Sequence, residues 1–384
     1  MSVSHFPPRD PRPPRDPGPS RDPLALAPED CGRGHACQFC PQEEECRLEK
    51  GHHEKRLIES RLAKIGQIIM VMANKGGVGK STVSANLAAG LAARGYRVGV
   101  ADADIHGPNQ SRFFGFVGQR VRLGGNGLTP RAFEAEGVEH PLRVGSLAFM
   151  MESDDTPIVW RDAYKHDFMH HLIGSFDWGP LDFLVIDMPP GTGNELITLA
   201  DLLEGHDVAA LLATTPQEVA LMDSLKAVRF CQERQLPLLG VVENMAGVTC
   251  PHCGGEFHLF PRAHLAEALA EVEVDSLAQI PLSPALASGS DSGQPIVLAA
   301  PDGPEARAFA PVVEACVAHA RQGFAEAAAH SLQALASEAG DELEAALASV
   351  PPEQRDAVRH ELQAQFAGLL GDAPRPPDPD DVTR

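Results

Sequence analysis

The sequence predicts an α/β fold: a doubly wound, mostly parallel sheet with helices on both faces. Three observations carry this. Almost wholly apolar runs recur at LDFLVID (181–187), VAALLATT (208–215) and LLGVVENM (238–245), and strands that are apolar on every residue are those buried on both faces. Stretches with helical spacing separate them. Polar or glycine-rich turns follow each run directly, at the strand ends where parallel sheets place ligands.

Residues 1–30 are rich in Pro, Arg and Asp and nearly free of large apolar side chains, so a disordered tail is expected. Residues 31–60 form a Cys-rich segment. Cys31, Cys37, Cys40 and Cys46 are separated by gaps of five, two and five residues, with His35, His52 and His53 nearby. Four thiolates complete either a zinc or an iron–sulfur set, and out of context zinc is the plainer reading. The helical EKRLIESRLAKI then leads into an α/β domain over 61–324.

Within that domain Ile68–Ala73 reads as a strand, KGGVGKST as a turn and SANLAAGLAARG as a helix. VGVADAD (98–104) is a second strand, followed by the loop IHGPN. Gly, Pro and polar residues interrupt 120–150, which reads as an insertion with short strands. DAYKHDFMHHLIGSF is helical, and another helix starts after Pro216. Beyond 325 the composition shifts to Ala, Leu and Glu. Val358, Leu362, Phe366, Leu369 and Leu370 share one face of a helix opening after Pro351–Pro352, so 325–371 is expected to be a helical hairpin and 372–384 a disordered tail.

The formal charge of −21 over 384 residues argues against nonspecific nucleic-acid binding and against anionic membrane surfaces. No apolar run approaches the ~18 residues of a membrane span, and the Pro/Arg-rich start offers no secretory segment. A cytoplasmic protein is expected, with neither nucleic acid nor membrane as partner. Its eight cysteines then read as metal ligands or core thiols rather than disulfides. Cys231 and Cys316, single within alanine-rich helices, are expected core thiols, and His170 and His171 ordinary surface or packing residues.

The turn at 74–82 carries the chemistry. Asn74, Lys75, Gly76, Gly77, Val78, Gly79, Lys80, Ser81 and Thr82 lie between strand and helix, where successive N–H groups and the positive helix end converge on a phosphate. Lys80 would reach the β- and γ-phosphates and Ser81 would place its hydroxyl on Mg²⁺. Asn74 stands where a glycine is usual, and Lys75 adds a second lysine. Asp102 and Asp104 end one strand and Asp187 another. After a buried apolar run Asp187 suits a magnesium-holding carboxylate, and Asp104 suits the positioning or activation of an attacking water. Gly191 and Gly193 in PPGTG would let backbone N–H groups approach the γ-phosphate, making 187–195 a hydrolysis-sensing switch. Cys250 and Cys253, in CPHC, supply two thiolates where zinc and clusters take four. Spacing weighs zinc and cluster equally: a symmetric dimer would supply a second pair, and His252 with His258 would complete a mononuclear zinc site.

KGGVGKST resembles the deviant Walker A loop of the MinD/ParA/ArsA/nitrogenase-iron-protein class of P-loop NTPases. With DADIHGPN, DMPPGTGNE, TTPQEVAL, ENMAGVTCPHCG and the four-cysteine N-terminus, in that order, the chain resembles the Mrp/ApbC family of iron–sulfur carrier ATPases. Its N-terminal cysteines point to the cytosolic cluster-assembly scaffold branch. The resemblance covers roughly 31–320 and implies a homodimer in which Lys75 contacts nucleotide across the interface. It implies slow ATP hydrolysis using Lys75, Lys80 and Asp104, ATP at 74–81 with Asn244 near the adenine, and Mg²⁺ at Ser81 and Asp187. Cys250 and Cys253 would bridge a labile [4Fe–4S] cluster between subunits, received from cluster donors and passed to apo iron–sulfur proteins. Cys31, Cys37, Cys40 and Cys46 would hold a second, more stable [4Fe–4S] cluster. Three features depart from the family pattern: the short first cysteine gap, Asn194 in place of the usual Asp, and the acidic extension beyond 325. Two rival readings are a zinc-binding regulatory ATPase and a MinD/ParA-like positioning ATPase. The second needs a basic face or basic amphipathic C-terminal helix, whereas the last lysine here is Lys226.

Overall fold

The computed structural model describes residues 35–40, 44–46, 50–105, 107–150, 162–191, 193–250, 252–253, 255–260 and 265–325. Cys31, both expected tails and the expected helical hairpin lie outside them. The chain divides into two units, Met1–Ala320 and Arg321–Arg384. Of the second, 321–325 are described, as helix, and all that follows concerns the first.

A single helical turn at Cys37–Phe39 and helix α1 (Lys50–Leu62) precede strand β1 (Ile65–Met72). Helix α2 (Lys80–Ala93), strand β2 (Val98–Asp102) and the short α3 (Gln110–Phe113) follow. Next come four short strands, β3 (Arg122–Gly124), β4 (Gly127–Thr129), β5 (Arg131–Phe133) and β6 (Leu142–Ser146), and then α4 (Asp162–Gly174). The pattern continues with β7 (Leu181–Asp187), α5 (Asn194–Leu202), β8 (Val208–Thr214), α6 (Glu218–Glu233) and β9 (Leu238–Asn244). A small hairpin, β10 (Val248–Thr249) and β11 (Glu256–Phe257), interrupts it before α7 (Leu265–Glu271), β12 (Ser276–Ile280), α8 (Pro284–Ser292) and α9 (Ile296–Ala299). The described residues end in helix α10 (304–325).

Eight strands form one sheet in the order β12-β9-β8-β1-β7-β2-β6-β5, parallel except for the antiparallel edge β5. Because successive side chains on a strand point to opposite faces, each central strand feeds two cores. Ile69 and Val71 of β1, Phe183 and Val185 of β7 and Leu211 of β8 pack with α2, α9 and α10. Ile68, Met70, Leu184, Ile186 and Leu212 pack with α1, α4, α5 and α6. This two-sided burial is why the runs read as continuously apolar. From β1 the chain goes to β2 on one side and later to β8 on the other, so a crevice opens beyond the carboxyl end of β1.

The 120–150 stretch differs from the expected insertion. β3 and β4 form a separate hairpin, but β6 joins the main sheet in register with β2, pairing Ser146 with Asp102. Its five residues, LRVGS, are too short and too mixed to show as a strand until β2 is beside them.

The N-terminal segment is sewn onto this body. The His35 ring pairs through Nε2 with the Gly124 carbonyl at 2.8 Å, and the His53 ring with the His35 carbonyl at 3.1 Å. Phe39 stands edge-on to His171, their centroids 5.6 Å apart. Arg61, buried near the end of α1, donates to Asp177 at 3.0 Å and to the carbonyls of Asn126 and Gly174. Burial lowers its pKa, and the Asp177 charge opposes that. Replacing Arg61 with Ala strands those acceptors, so the unfolding free energy should fall by about 2–4 kcal/mol, read as a lower denaturant midpoint at unchanged slope.

Candidate functional site

The crevice beyond β1 is floored by the loop 73–79. Gly77 and Gly79 take left-handed φ values of 82° and 84°, which glycine adopts freely. Gly79 is also held by close approach: a Cβ there would lie 2.0 Å from Asn244 Nδ2. That nitrogen donates to the Val78 carbonyl at 2.8 Å, so Asn244, at the end of β9, braces the loop from behind. Asn74 Nδ2 donates to the Asp223 carbonyl at 2.7 Å, tying the other end of the loop to α6, while its buried Oδ1 has no hydrogen-bond partner. Lys75 is half-exposed on the rim. No side chain caps the N-terminus of α2, so the first N–H groups, from Lys80, Ser81 and Thr82, face the crevice. That donor set suits a phosphate.

Carboxylates close the other side. Asp187, fully buried at the end of β7, accepts from Lys80 Nζ at 2.6 Å and Ser84 Oγ at 3.0 Å on Oδ1, and from Gln110 Nε2 at 2.8 Å on Oδ2. Gln110 Nε2 also donates to the Ser81 carbonyl at 3.1 Å. Asp104 Oδ2 lies 3.8 Å from Lys80 Nζ, and its Oδ1 accepts from Gly107 N at 3.2 Å. Asp102 accepts from Ser146 Oγ at 2.9 Å, Gln110 N at 3.0 Å and Asp104 N at 3.3 Å. Burial first and the Asp187 charge second push its carboxyl up to about 8, against the pull of Gln110, Lys80 and Ser146. The turn after β7 is clamped to β1: Met188 N donates to the Val71 carbonyl at 3.1 Å and Gly191 N to that of Ala73 at 2.9 Å. The expected residues Lys80, Ser81, Asp104 and Asp187 thus meet. Ser84, Gln110 and Ser146, which motif reading did not single out, join them.

The sulfur pair sits at the tip of the β10–β11 hairpin, closed by Cys250 N donating to the Gly255 carbonyl at 2.9 Å. Cys250 is half-exposed and Cys253 exposed. The backbone N–H groups of Cys253 and His252, with the Cys253 thiol, lower the pKa of Cys250 by favouring its thiolate. His258 Nδ1 pairs with the Ala246 carbonyl at 2.8 Å. At the N-terminus, Cys40 and Cys46 are half-buried and Cys37 is buried. Burial and then Glu54 push the Cys37 thiol up to about 12, with smaller effects from Cys46 and Cys40. Among the described residues no three His, Cys, Asp or Glu side chains converge to hold a metal. Cys231 and Cys316 are core thiols as expected, both raised to about 12 by burial. No described helix is long and apolar enough to cross a membrane.

Residues 64–317 match the ParA-type family profile described as NUBPL iron-transfer P-loop NTPase. An iron-sulfur cluster carrier protein of Saccharolobus solfataricus is 38% identical over 254 residues, 66% of this chain and 83% of that one. One from Pyrococcus furiosus is 42% identical over 255 residues, 65% and 85% of the two chains. A cytosolic Fe-S cluster assembly factor, the Nubp1 homolog of Drosophila pseudoobscura pseudoobscura, is 37% identical over 280 residues, 70% and 88%. Among solved structures, a nucleotide-binding protein in complex with ADP from Archaeoglobus fulgidus superposes with a TM-score of 0.54 at 33% identity. The match covers 63% of this chain and 92% of that one.

Asp102 gives the site a pH signature. Its folded pKa, about 8, lies above the ordinary 3.8, so between these values the native state binds more protons than the unfolded chain. Its contribution to stability is complete below about pH 4 and is lost as pH rises to about 8, at up to about 1.4 kcal/mol per pH unit. Unfolding of the nucleotide-free protein, followed from pH 5 to 8, should therefore show a shallower decline in Asp102→Asn than in wild type.

Proposed function

The chain belongs to the NUBPL/Mrp-type iron–sulfur cluster carrier P-loop NTPases, and from that premise we propose that it is a cytoplasmic, homodimeric carrier. It would bind a [4Fe–4S] cluster and pass it to apo-proteins, with ATP hydrolysis as the conformational switch. One observation carries the link between the two chemistries. Asn244 braces the nucleotide loop at Val78, and two residues later the Ala246 carbonyl meets His258 of the sulfur hairpin.

At the nucleotide site, Lys80 would exchange its Asp187 partner for the β- and γ-phosphates. The N–H groups of 76–82 would line the phosphate path, and Asn244 would stand beside the bound nucleotide. Mg²⁺, when bound, neutralises phosphate charge. The Ser81 hydroxyl and Asp187, freed on Oδ1 as Lys80 turns away, are the groups to hold it. Asp104, beside Lys80, would orient a water, and Lys75 on the rim would reach the nucleotide of a second copy. Gly191, hydrogen-bonded to the end of β1, would follow the γ-phosphate.

Cys250 and Cys253 are the proposed cargo ligands. Their exposure and the lowered pKa of Cys250 suit a labile site, and two thiolates leave half of a four-ligand set to the partner subunit. Cys31, Cys37, Cys40 and Cys46 are the proposed ligands of a second, resident cluster. Thiolates are the donors such a cluster takes, and Cys37, Cys40 and Cys46 are free thiols.

Anaerobic reconstitution followed by iron, sulfide and zinc analysis is the test. Changing Cys250 and Cys253 to Ser should remove the cargo cluster and leave ADP affinity within about twofold, because the loop contacts use other residues. Substantial zinc without acid-labile sulfide in the wild type would sink the reading, as would a strict monomer that still delivers clusters. Lys80→Ala removes the charge facing the phosphates and should lower ATP hydrolysis by about 100-fold or more.

A further inference from the structure

Gln110 has a role that no motif assigns to it. It is fully buried at the start of α3 and joins three elements. Its backbone N–H donates to Asp102 at the end of β2, and its side-chain nitrogen donates both to Asp187 at the end of β7 and to the Ser81 carbonyl in the first turn of α2. A carbonyl and an ionised carboxylate can only accept, so the amide orientation is fixed by its partners. That orientation leaves Gln110 Oε1 buried without a hydrogen-bond partner. A side chain kept only to fill space would be cheaper as Leu or Met, which strand no carbonyl.

The two oxygens of Asp187 are held differently. Oδ1 is shared by Lys80 and Ser84, whereas Gln110 is the donor recorded on Oδ2. Once Lys80 turns to phosphate, Ser84 and Gln110 are what remain to fix the carboxylate plane. We propose that Gln110 is a positioning residue for the nucleotide site: its amide locks the Asp187 carboxylate against the Ser81 turn, so that Asp187 keeps one orientation when it loses Lys80 and takes Mg²⁺. This rests on the reading of 74–82 and Asp187 as a Mg-nucleotide site. Groups that orient a metal ligand through a hydrogen bond commonly change metal affinity by about 10–100-fold when removed.

The experiment uses the full chain and the variants Gln110→Met and Gln110→Leu. Met keeps the shape and loses the donor; Leu is shorter and loses it too. ADP binding is measured by calorimetry with EDTA and then with saturating Mg²⁺, alongside thermal melting and steady-state ATP hydrolysis. Both variants should bind ADP in EDTA within about twofold of wild type, lose about tenfold or more of the Mg²⁺-dependent gain, and lower kcat more than they raise KM. A space-filling role would shift melting and leave the Mg²⁺-dependent gain alone. A folded variant of either kind with wild-type gain and kcat overturns the proposal, and should Met fail to fold, Leu decides. Wild-type protein whose ADP affinity ignores Mg²⁺ would instead remove the Mg-nucleotide reading, and this proposal with it.

Discussion

A fully buried carboxylate governs the architecture of the crevice. Asp187 has no access to water, and an isolated charge in such a place is very costly. The chain surrounds it with an ammonium at 2.6 Å, a hydroxyl at 3.0 Å and an amide at 2.8 Å. They come from two helices: Lys80 and Ser84 from successive turns of α2, Gln110 from the start of α3. Meeting at one point requires β1, β7 and β2 to end at the same level, which the parallel registers Val71↔Asp187 and Asp102↔Asp187 provide. The fold is thus tuned at its strand ends as much as in its core.

What the sequence made legible follows from range. The loop 74–82 and the runs of β7, β8 and β9 are local patterns, and local patterns survive reading one residue at a time. Ser146 became a partner of Asp102 only because β6 lies beside β2 in register, and nothing in LRVGS announces that. Gln110 looks like an ordinary polar residue in a loop until β7 brings Asp187 to it from 77 residues away. Asn244 illustrates a subtler case. Its position at a strand end was readable, but not that its amide is spent on the Val78 carbonyl behind the phosphate loop. His171 is a packing residue as expected: it pairs with Ser175 at 3.0 Å and packs on Phe39, helping to seat the cysteine-rich turn.

The stretch Asn244–Gly247 joins the two halves of the chemistry physically. Met245 within it adopts a left-handed φ of 57°, a conformation that costs a non-glycine residue about 1 kcal/mol or more. The strain is held from both sides: Asn244 is fixed on Val78, Ala246 N donates to the Ile280 carbonyl at 3.0 Å, and Leu282 N donates to that of Gly247 at 2.8 Å.

The ion pair of Lys80 and Asp187 adds a condition of charge. Neither group can be released alone, because each would leave the other buried without compensation. On the proposed reading, phosphate takes the ammonium while a divalent cation takes the carboxylate, and the crevice is never left with one unpaired ion. A nucleotide without its metal meets only half of that exchange, since it draws Lys80 away and leaves Asp187 to Ser84 and Gln110. On that reading the buried pair would select for the metal–nucleotide complex, using residues that the fold already needed in order to bury Asp187 at all.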